Sequence, residues 1–347
     1  MLNPSAELLD ICLRAAAIGQ ILLLSLGFLH RPWYPAKRAL AWLALCAAGY
    51  LLLTAPIADA HYGPLRGWLL LLTDSVAYAL WLATMLYFRD DFSPARWPKL
   101  LKGALLLYGL WFIYYFAVLQ GIGWFHDLNH LLSIGLVAHV IVHLLKGMSD
   151  DLIDARRSLR VQATLIASAF FLYLGCVELG PEFIRHHWLF GLSNAALILI
   201  GVSALSVALL PRPGRSNADE LSNTARAPAQ EPARQPNPLQ LKLDAFLAQG
   251  GYTQPNLTVA SLARELGGQE YQLRQLINRE LGYRNFSDFL NHHRLPAAAE
   301  CLKSQDTPIT NLALDLGYGS IGPFNRAFKA RFACTPSDYR RQFQNRP

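Results

Sequence analysis

Titratable side chains interrupt several apolar stretches of this sequence, and they are the first candidates for chemistry. Charged and imidazole groups are costly in an apolar stretch long enough to lie in lipid, so each is a candidate for a functional role. The candidates for a sensing site are Asp74, His126, His130, His139, His143, Glu178, His186 and His187. Such groups could sense protons or a metal ion, line a pocket for a small ligand, or hold a haem or quinone.

A structural alternative exists for the same side chains, because buried polar groups form hydrogen bonds that hold membrane helices together. We favour this interpretation for His139 and His143, which lie one helical turn apart on one face. For the other candidates both interpretations stay open. The sequence contains no H-E-x-x-H motif, and its five cysteines show no ligand spacing. We therefore predict no metal site and no cofactor.

Basic and polar side chains near the C-terminus form a second group with a different chemistry. In the segment QEYQLRQLINREL, the apolar Leu273, Leu276 and Ile277 recur at helical spacing and are predicted to face a core. The outward-facing residues of this helix are then Arg274, Gln275, Asn278 and Arg279.

The elements around this helix occur twice. The first copy begins with LTVASLARELG, where Thr258 is the predicted N-cap, and passes through a Gly267-Gly268 turn into the polar-basic helix. The second copy is TPITNLALDLG followed by SIGPFNRAFKARF, and a connecting helix, NFSDFLNHHRLPAAAECLK, joins the two. A helix, a tight turn and a helix with a polar-basic outer face form the helix-turn-helix pattern.

Seven apolar runs precede these units, and a helix that crosses a bilayer needs about 20 such residues. The chain is 53% hydrophobic and 16% charged, with its charges concentrated after Pro211. The predicted fold is all-α: a polytopic seven-helix transmembrane bundle followed by a cytoplasmic all-helical domain with two helix-turn-helix units. The predicted spans are residues 9–29, 39–57, 67–88, 103–120, 128–146, 161–179 and 188–210.

Lysine and arginine in the connecting loops predict the orientation, because cytoplasmic loops hold the excess of these residues. The first, third and fifth loops are rich in them, and the even-numbered loops have few. The N-terminus is therefore predicted outside, and everything after Leu210 in the cytoplasm. The N-terminal stretch lacks the basic start of a signal peptide, so we expect it to be retained.

The chain is thus predicted to have three parts. Residues 1–210 form the seven-span transmembrane domain, and residues 238–347 carry the two helix-turn-helix units. Residues 211–237 are rich in proline, alanine, serine and mixed charge, which cannot bury a core. This segment is predicted to be a flexible cytoplasmic linker.

The last part of the chain carries many motif residues at fixed spacing. A glycine-aromatic pair and a small polar residue precede F-N-R-A-F-K, T-P-S-D-Y-R follows, and the connecting helix contains R-L-P-A-A-A-E-C-L. The residues concerned are Arg294, Leu295, Ala298, Leu302, Gly317, Tyr318, Ser320, Phe324, Arg326, Phe328, Lys329, Phe332, Thr335, Pro336, Tyr339 and Arg340. Over residues 239–345 the chain resembles the DNA-binding domain of AraC/XylS-type transcription regulators. The seven-helix part resembles no family that we recognise.

The resemblance implies that two recognition helices enter successive major-groove segments of double-stranded DNA. Arginine and glutamine would contact base edges, and Lys329 would contact phosphate. The DNA-binding residues carried over, together with outward neighbours, are Tyr271, Arg274, Gln275, Asn278, Arg279, Ser320, Ile321, Asn325, Arg326 and Lys329.

Three departures from the family pattern affect the expected docking. Ile321, Gly322 and Pro323 begin the second recognition helix, where the family often has polar side chains, so we expect weaker direct base readout there. Ala333 stands where the family usually has glycine. Pro296 lies inside the connecting helix and is expected to kink it.

Together these patterns predict a membrane-integral AraC-type regulator in a bacterial inner membrane, which couples a signal sensed by its helices to promoter occupancy. The expected partners are promoter DNA, the lipid bilayer, RNA polymerase, a second copy in a homodimer, and an unidentified small ligand or ion. The sequence shows no nucleophile–base pair and no phosphate loop, so no enzyme activity is predicted. The alternatives are a membrane transporter or sensor whose tail only regulates it, and a latent regulator released by proteolysis.

Overall fold

The computed structural model describes residues 4–29, 34–90, 92–179, 188–209 and 237–344. These residues are almost entirely helical, with one isolated β-bridge between Asp151 and Asn285, so the predicted all-α class is confirmed. The chain divides into two compact units: Met1–Lys146 with Ser158–Arg215, and Gly147–Arg157 with Ser216–Pro347. Nearly all of the predicted linker, residues 211–237, lies outside the described residues.

The N-terminal part of the chain is a series of helices joined by short connections. A 3-10 turn, Asp59–Tyr62, precedes the third helix, and the fifth helix continues into a π-helical turn, Tyr114–Val118. Each predicted span coincides with one or two of these helices. They are α1 (Pro4–Leu29), α2 (Pro35–Leu53), α3 (Leu65–Asp74), α4 (Val76–Phe88), α5 (Lys99–Ile113), α6 (Trp124–Gly147), α7 (Asp154–Leu179) and α8 (Trp188–Leu209).

Several of these helices have the length and hydropathy needed to cross a membrane. Four described segments pass on their own, namely Ser5–Gly27, Pro35–Leu53, Lys99–Val118 and Trp124–Gly147. Helices α3 and α4 pass only as a pair, bent by 43°, which gives five spans if the pair counts as one. The seven-span topology and the insertion into a membrane therefore stay predictions.

The bend between α3 and α4 lies at Ser75. The Ser75 hydroxyl donates a hydrogen bond to the Leu71 carbonyl at 2.6 Å, a back-bond of the kind that bends helices. The run predicted as one span, 67–88, is thus two helices, and Asp74 is the last residue of the first. Its carboxylate is buried at the break.

Arg14 explains how a charged residue is accommodated in the first apolar helix. Its Nε donates to Asp10 Oδ2 at 2.7 Å, and its Nη1 donates to the Leu51 carbonyl and to Thr54 Oγ1, both at 2.8 Å. A buried charge is tolerated when it is paired and hydrogen-bonded in this way. The Arg14 side chain therefore holds α1 against the end of α2.

The second unit contains the predicted helix-turn-helix elements. Thr258 is the N-cap of its second helix, as predicted, and accepts a hydrogen bond from the backbone of Ser261. The connecting helix runs through Pro296 without ending. The helices are α9 (Pro238–Ala248), α10 (Val259–Glu265), α11 (Glu270–Gln275), α12 (Phe286–Ser304), α13 (Ile309–Asp315), α14 (Ile321–Phe332) and α15 (Pro336–Gln344).

This unit has two hydrophobic cores that share α12. The first core joins α9, α10, α11 and the start of α12, and it includes Leu152 from the connection between α6 and α7. The second core joins the rest of α12 to α13 and α14, with Phe324 and Phe328 fully buried. Each core supports one helix-turn-helix unit, so α12 fixes the spacing of the two.

Arg294, in the middle of α12, connects the two cores. Its guanidinium donates to the carbonyls of Tyr252 at 2.7 Å, Gln254 at 3.1 Å and Gly317 at 3.0 Å. Gly317, at φ +82°, leaves no room for a side chain, since a Cβ there would lie 2.5 Å from the Thr253 carbonyl oxygen. Arg294 and this glycine therefore hold the turn of the second helix-turn-helix unit against the first.

We expect Arg294→Lys to destabilise the second unit by about 2–4 kcal/mol. Lysine keeps the charge but cannot donate to three carbonyls in the fixed directions of a guanidinium, so buried acceptors lose their partners. Hydrogen exchange of the α12 and α13 amides in the purified full-length protein measures the effect. Arg264→Lys, at an exposed position, is the control and should change exchange little; equal effects of the two variants would contradict this role of Arg294.

Ala333 provides a second stability test because it adopts φ 59°, in the left-handed region that glycine favours. We expect Ala333→Gly to stabilise the end of α14 by about 1 kcal/mol. The matched control is Ala330→Gly, an exposed position inside α14, where the same change should destabilise by about 1 kcal/mol. Hydrogen exchange of the last turn of α14 and of α15 reports both, and effects of the same sign would refute the prediction.

Candidate functional site

The second helix-turn-helix unit presents an exposed face that is polar and basic from Asn325 onward. Helix α14 buries Phe324 and Phe328 in the second core, which directs the rest of the helix outward. The predicted DNA-binding residues of this unit are all exposed, and they are Ser320, Ile321, Asn325, Arg326 and Lys329. This arrangement places hydrogen-bond donors and positive charge along one accessible helix, as contact with a DNA groove requires.

The first helix-turn-helix unit presents a more restricted face. Tyr271 and Arg279 are exposed, but Gln275 is half-buried and donates a short hydrogen bond to the Tyr271 hydroxyl. Asn278 lies in the π-helical turn Leu276–Glu280 and donates to the Tyr283 carbonyl at 2.8 Å. Two of the predicted polar contacts are thus already occupied within the protein.

Arg274 differs most from the sequence prediction, which placed it on the outward face. It is only 3% exposed. Its Nη1 donates to the Asp151 carbonyl at 2.7 Å, its Nη2 to the Ser149 carbonyl at 3.3 Å, and its Nε to Glu270 Oε1 at 2.9 Å. The prediction of an outward Arg274 is wrong for this structure, because backbone carbonyls distant in sequence satisfy the guanidinium.

The residues that bury Arg274 belong to residues 147–157, which run from the last residue of α6 through the connection into the first turn of α7 and which we call the α6–α7 segment. This segment folds as part of the second unit. The Asp150 carbonyl accepts a hydrogen bond from Phe286 N at 2.9 Å, and Asp150 Oδ1 accepts from Ser287 N and Ser287 Oγ at 2.9 and 3.0 Å. Asn285 is the N-cap of α12 and accepts from Asp288 N, and Asp150 adds acceptors for the next free amides, where the helix dipole favours negative charge.

Leu152 adds an apolar anchor to these polar contacts. Its side chain is 3% exposed within the first core, and its amide donates to the Arg284 carbonyl at 3.1 Å. Burial raises the pKa of the Asp150 carboxyl, and the neighbouring carboxylates of Asp288 and Asp151 add to the rise. Asp150 consequently carries its charge at some cost, while Leu152 contributes the hydrophobic stabilisation.

The structure brings three of the predicted sensing residues together in the N-terminal compact part of the chain. Asp74 Oδ1 lies 3.4 Å from His126 Nε2 and 3.3 Å from His130 Nε2. The Asn129 amide donates to the same oxygen at 2.8 Å, and its own oxygen accepts from the Tyr78 hydroxyl at 2.8 Å. Sequence reasoning missed Asn129 and Tyr78, although Asn129 lies three residues after His126 on the same helical face.

The other sensing candidates do not join this cluster in the described part of the chain. His139 Nδ1 accepts a hydrogen bond from the indole of Trp81 at 3.1 Å. The His139 and His143 rings are nearly parallel, with their centroids 6.5 Å apart. This is the interhelical hydrogen bonding expected for a structural role. His186 and His187 lie outside the described residues, as does the side chain of Glu178.

Comparisons with known proteins address the C-terminal region. A family described as a helix-turn-helix domain matches residues 262–342. The regulatory protein SoxS of Escherichia coli K12 is 34% identical over 84 residues, which cover 24% of this chain and 78% of SoxS. SoxS of Salmonella typhimurium is 33% identical over the same shares.

A solved structure also matches. The C-terminal domain of AraT, a response regulator from Geobacillus stearothermophilus, shares 30% identity over 32% of this chain and 88% of that one, with a TM-score of 0.28. The residues matched by the helix-turn-helix family are those that form the two helix-turn-helix units of this structure. Through this C-terminal domain, the chain belongs to the AraC-type helix-turn-helix family of DNA-binding transcription regulators.

Proposed function

We propose that this chain is a membrane-integral regulator whose N-terminal helices control how its AraC-type domain binds promoter DNA. The apolar helices that could span a membrane and the alternation of basic loops along the sequence support insertion in a bacterial inner membrane. The N-terminus would face outside and the DNA-binding domain the cytoplasm. RNA polymerase and a second copy of the chain are the expected protein partners at a promoter.

One observation carries the proposed coupling: the α6–α7 segment is part of the DNA-binding unit although it connects two helices of the N-terminal part. A change at the end of α6 or the start of α7 passes directly along the chain to this segment. No diffusing messenger or flexible linker is needed for that step. The segment is therefore the route by which a signal would reach the first helix-turn-helix unit.

The contacts of the α6–α7 segment favour a model in which the held segment reduces specific DNA binding. In the described state, Ser149 and Asp151 hold the guanidinium of Arg274, which matches a position expected to contact bases. Withdrawal of the segment would release Arg274 toward solvent and uncover the N-terminus of α12. We infer that the held state binds DNA weakly or with low selectivity, and that the released state binds it specifically.

The energies involved suit a switch. Burial of a leucine side chain contributes about 1.5–3 kcal/mol, and each hydrogen bond contributes about 1 kcal/mol net. The segment is thus held by a few kcal/mol, part of which is offset by the cost of burying the Asp150 charge. A signal that favours the released state by the same amount would bring the two states to equal populations, and about 1.4 kcal/mol more would make the released state about tenfold more populated.

The DNA face can be tested by occupancy across the genome of the host. We expect Arg326→Ala in the full-length protein to weaken specific binding by about 1–3 kcal/mol and to remove discrete occupancy peaks, since arginine reads base edges bidentately. Lys303→Ala is the control, because it removes the same charge from an exposed position at the end of α12. Peaks that persist in Arg326→Ala would show that α14 is not a reading helix.

The coupling can be tested by weakening the α6–α7 segment. We expect Leu152→Ala to cost about 2–5 kcal/mol at this contact and to make promoter occupancy high without any stimulus. Leu145→Ala, an exposed leucine on α6, is the matched control and should leave occupancy unchanged. Membrane fractionation of the same cells shows whether the protein stays intact, which separates tethered action from proteolytic release.

Two variants of Asp150 sharpen the test. Asp150→Ala removes the side-chain acceptor for Ser287 while the Asn285 cap of α12 remains, and it should release the segment with a loss of about 1 kcal/mol. Asp150→Asn keeps an acceptor for Ser287 but removes the charge of a carboxyl group whose pKa is raised by burial. The segment should therefore stay bound at least as firmly as in the unaltered protein. Constitutive occupancy in both variants, or in neither, would contradict the proposed role of this contact.

A further inference from the structure

The three side chains at the break between α3 and α4 have the geometry of a metal site. Asp74 Oδ1 is 3.4 Å from His126 Nε2 and 3.3 Å from His130 Nε2, and all three atoms lie within 4.8 Å of one another. Zinc bonds to nitrogen and oxygen of 2.0–2.1 Å put tetrahedral ligands about 3.3 to 3.4 Å apart. The two separations from Asp74 to the histidines are longer than ordinary hydrogen bonds, and they fit two edges of such a tetrahedron.

The elements around the site explain how the ligands are positioned. His126 and His130 are four residues apart on α6, the spacing by which two histidines on one helical face share an ion. Asp74 is the last residue of α3, so its carboxylate enters from the bend at Ser75. An ion held by all three residues would fasten α6 to the α3–α4 break.

A second layer of hydrogen bonds orients the carboxylate. Asn129, which is fully buried, donates to Asp74 Oδ1 at 2.8 Å. Tyr78 donates to Asn129, and the Tyr78 and Tyr108 hydroxyls lie 2.9 Å apart. Outer partners of this kind fix the orientation of metal ligands and raise their affinity for the ion.

The donor set and its exposure narrow the type of ion. Two imidazoles and one carboxylate suit divalent ions late in the first transition row, whereas calcium and magnesium prefer oxygen ligands alone. The side chains of His126 and His130 are each 28% exposed, while Asp74 is buried. Three protein ligands leave a fourth position for water or another ligand, as in exchangeable rather than closed structural sites.

We propose that Asp74, His126 and His130 bind a divalent transition-metal ion, with Zn²⁺ as the first choice, and that this ion is the signal for the regulator. The binding step stands on the geometry alone, and the signalling step rests on the proposed function. Helix α6 carries two of the ligands near its start and ends at Gly147, where the α6–α7 segment begins. Fastening α6 at one end thus acts on the helix that leads into the segment.

The binding step is tested with purified, tag-free, full-length protein in detergent by titration with ZnCl₂. We expect one high-affinity ion per chain, and at least a tenfold loss of affinity in His126→Ala, His130→Ala and Asp74→Asn. His139→Ala is the matched control on the same helix and should bind as the unaltered protein does. Asn129→Ala should weaken binding 10- to 100-fold. Gel filtration identifies any variant that has lost its fold.

Cobalt substitution gives an independent measurement, because the visible absorption of Co²⁺ reports the geometry and type of its ligands. A tetrahedral nitrogen–oxygen spectrum that disappears in His130→Ala supports the site. Equal Zn²⁺ affinity in the unaltered protein and in His126→Ala, or the absence of stoichiometric binding, overturns it.

The signalling step is tested by promoter occupancy in cells grown with added Zn²⁺ or with a chelator outside the membrane. Zinc-dependent occupancy that is lost in His126→Ala and kept in His139→Ala supports the proposal. Binding in vitro without a change in occupancy overturns the signal and leaves the site. Occupancy that follows external pH in a protein that binds no metal overturns both in favour of proton sensing, while the regulatory function itself survives.

Discussion

A buried charge must be paired and hydrogen-bonded to remain in a protein interior, and this constraint sets many of the long-range contacts in the chain. In the first unit, Arg14 joins α1 to α2, and Asp74 draws α6 to the α3–α4 break. In the second unit, Arg294 fixes one helix-turn-helix unit against the other. Arg274 ties the first of these units to the α6–α7 segment. Each charge therefore reports which elements are held together.

Local features were predictable from the sequence because their causes are local. Helical periodicity, the Thr258 cap and the glycine turns depend on residues within one or two turns, and the motif residues identified the AraC-type domain. The bend in the third apolar run was not predictable from hydropathy, since a bent and a straight helix of the same sequence have the same hydropathy. It depends on how the Ser75 hydroxyl is directed, which composition does not determine.

The cluster of Asp74, His126 and His130 was predictable only in part, because only some of its determinants are local in sequence. The spacing of His126 and His130 is visible in the sequence, but the approach of Asp74 depends on how α3 packs against α6. Arg274 is the clearest case: its carbonyl partner in Asp151 lies 123 residues earlier in the chain. Periodicity established only that Arg274 lies beside the core residue Leu273, and residues 147–157 resembled an ordinary basic loop.

The two recognition helices differ in exposure, and the α6–α7 segment covers the one with more polar side chains. Helix α14 is open, but it begins with Ile321, Gly322 and Pro323, whose side chains cannot hydrogen-bond a base. Helix α11 carries the richer set of polar side chains, and its Arg274 is the one that is occupied. Lys329 of α14 would contact phosphate and retain affinity for DNA, while base readout by α14 would rest on Asn325 and Arg326. Control of Arg274 would therefore change which sequences are bound more than how tightly DNA is bound overall.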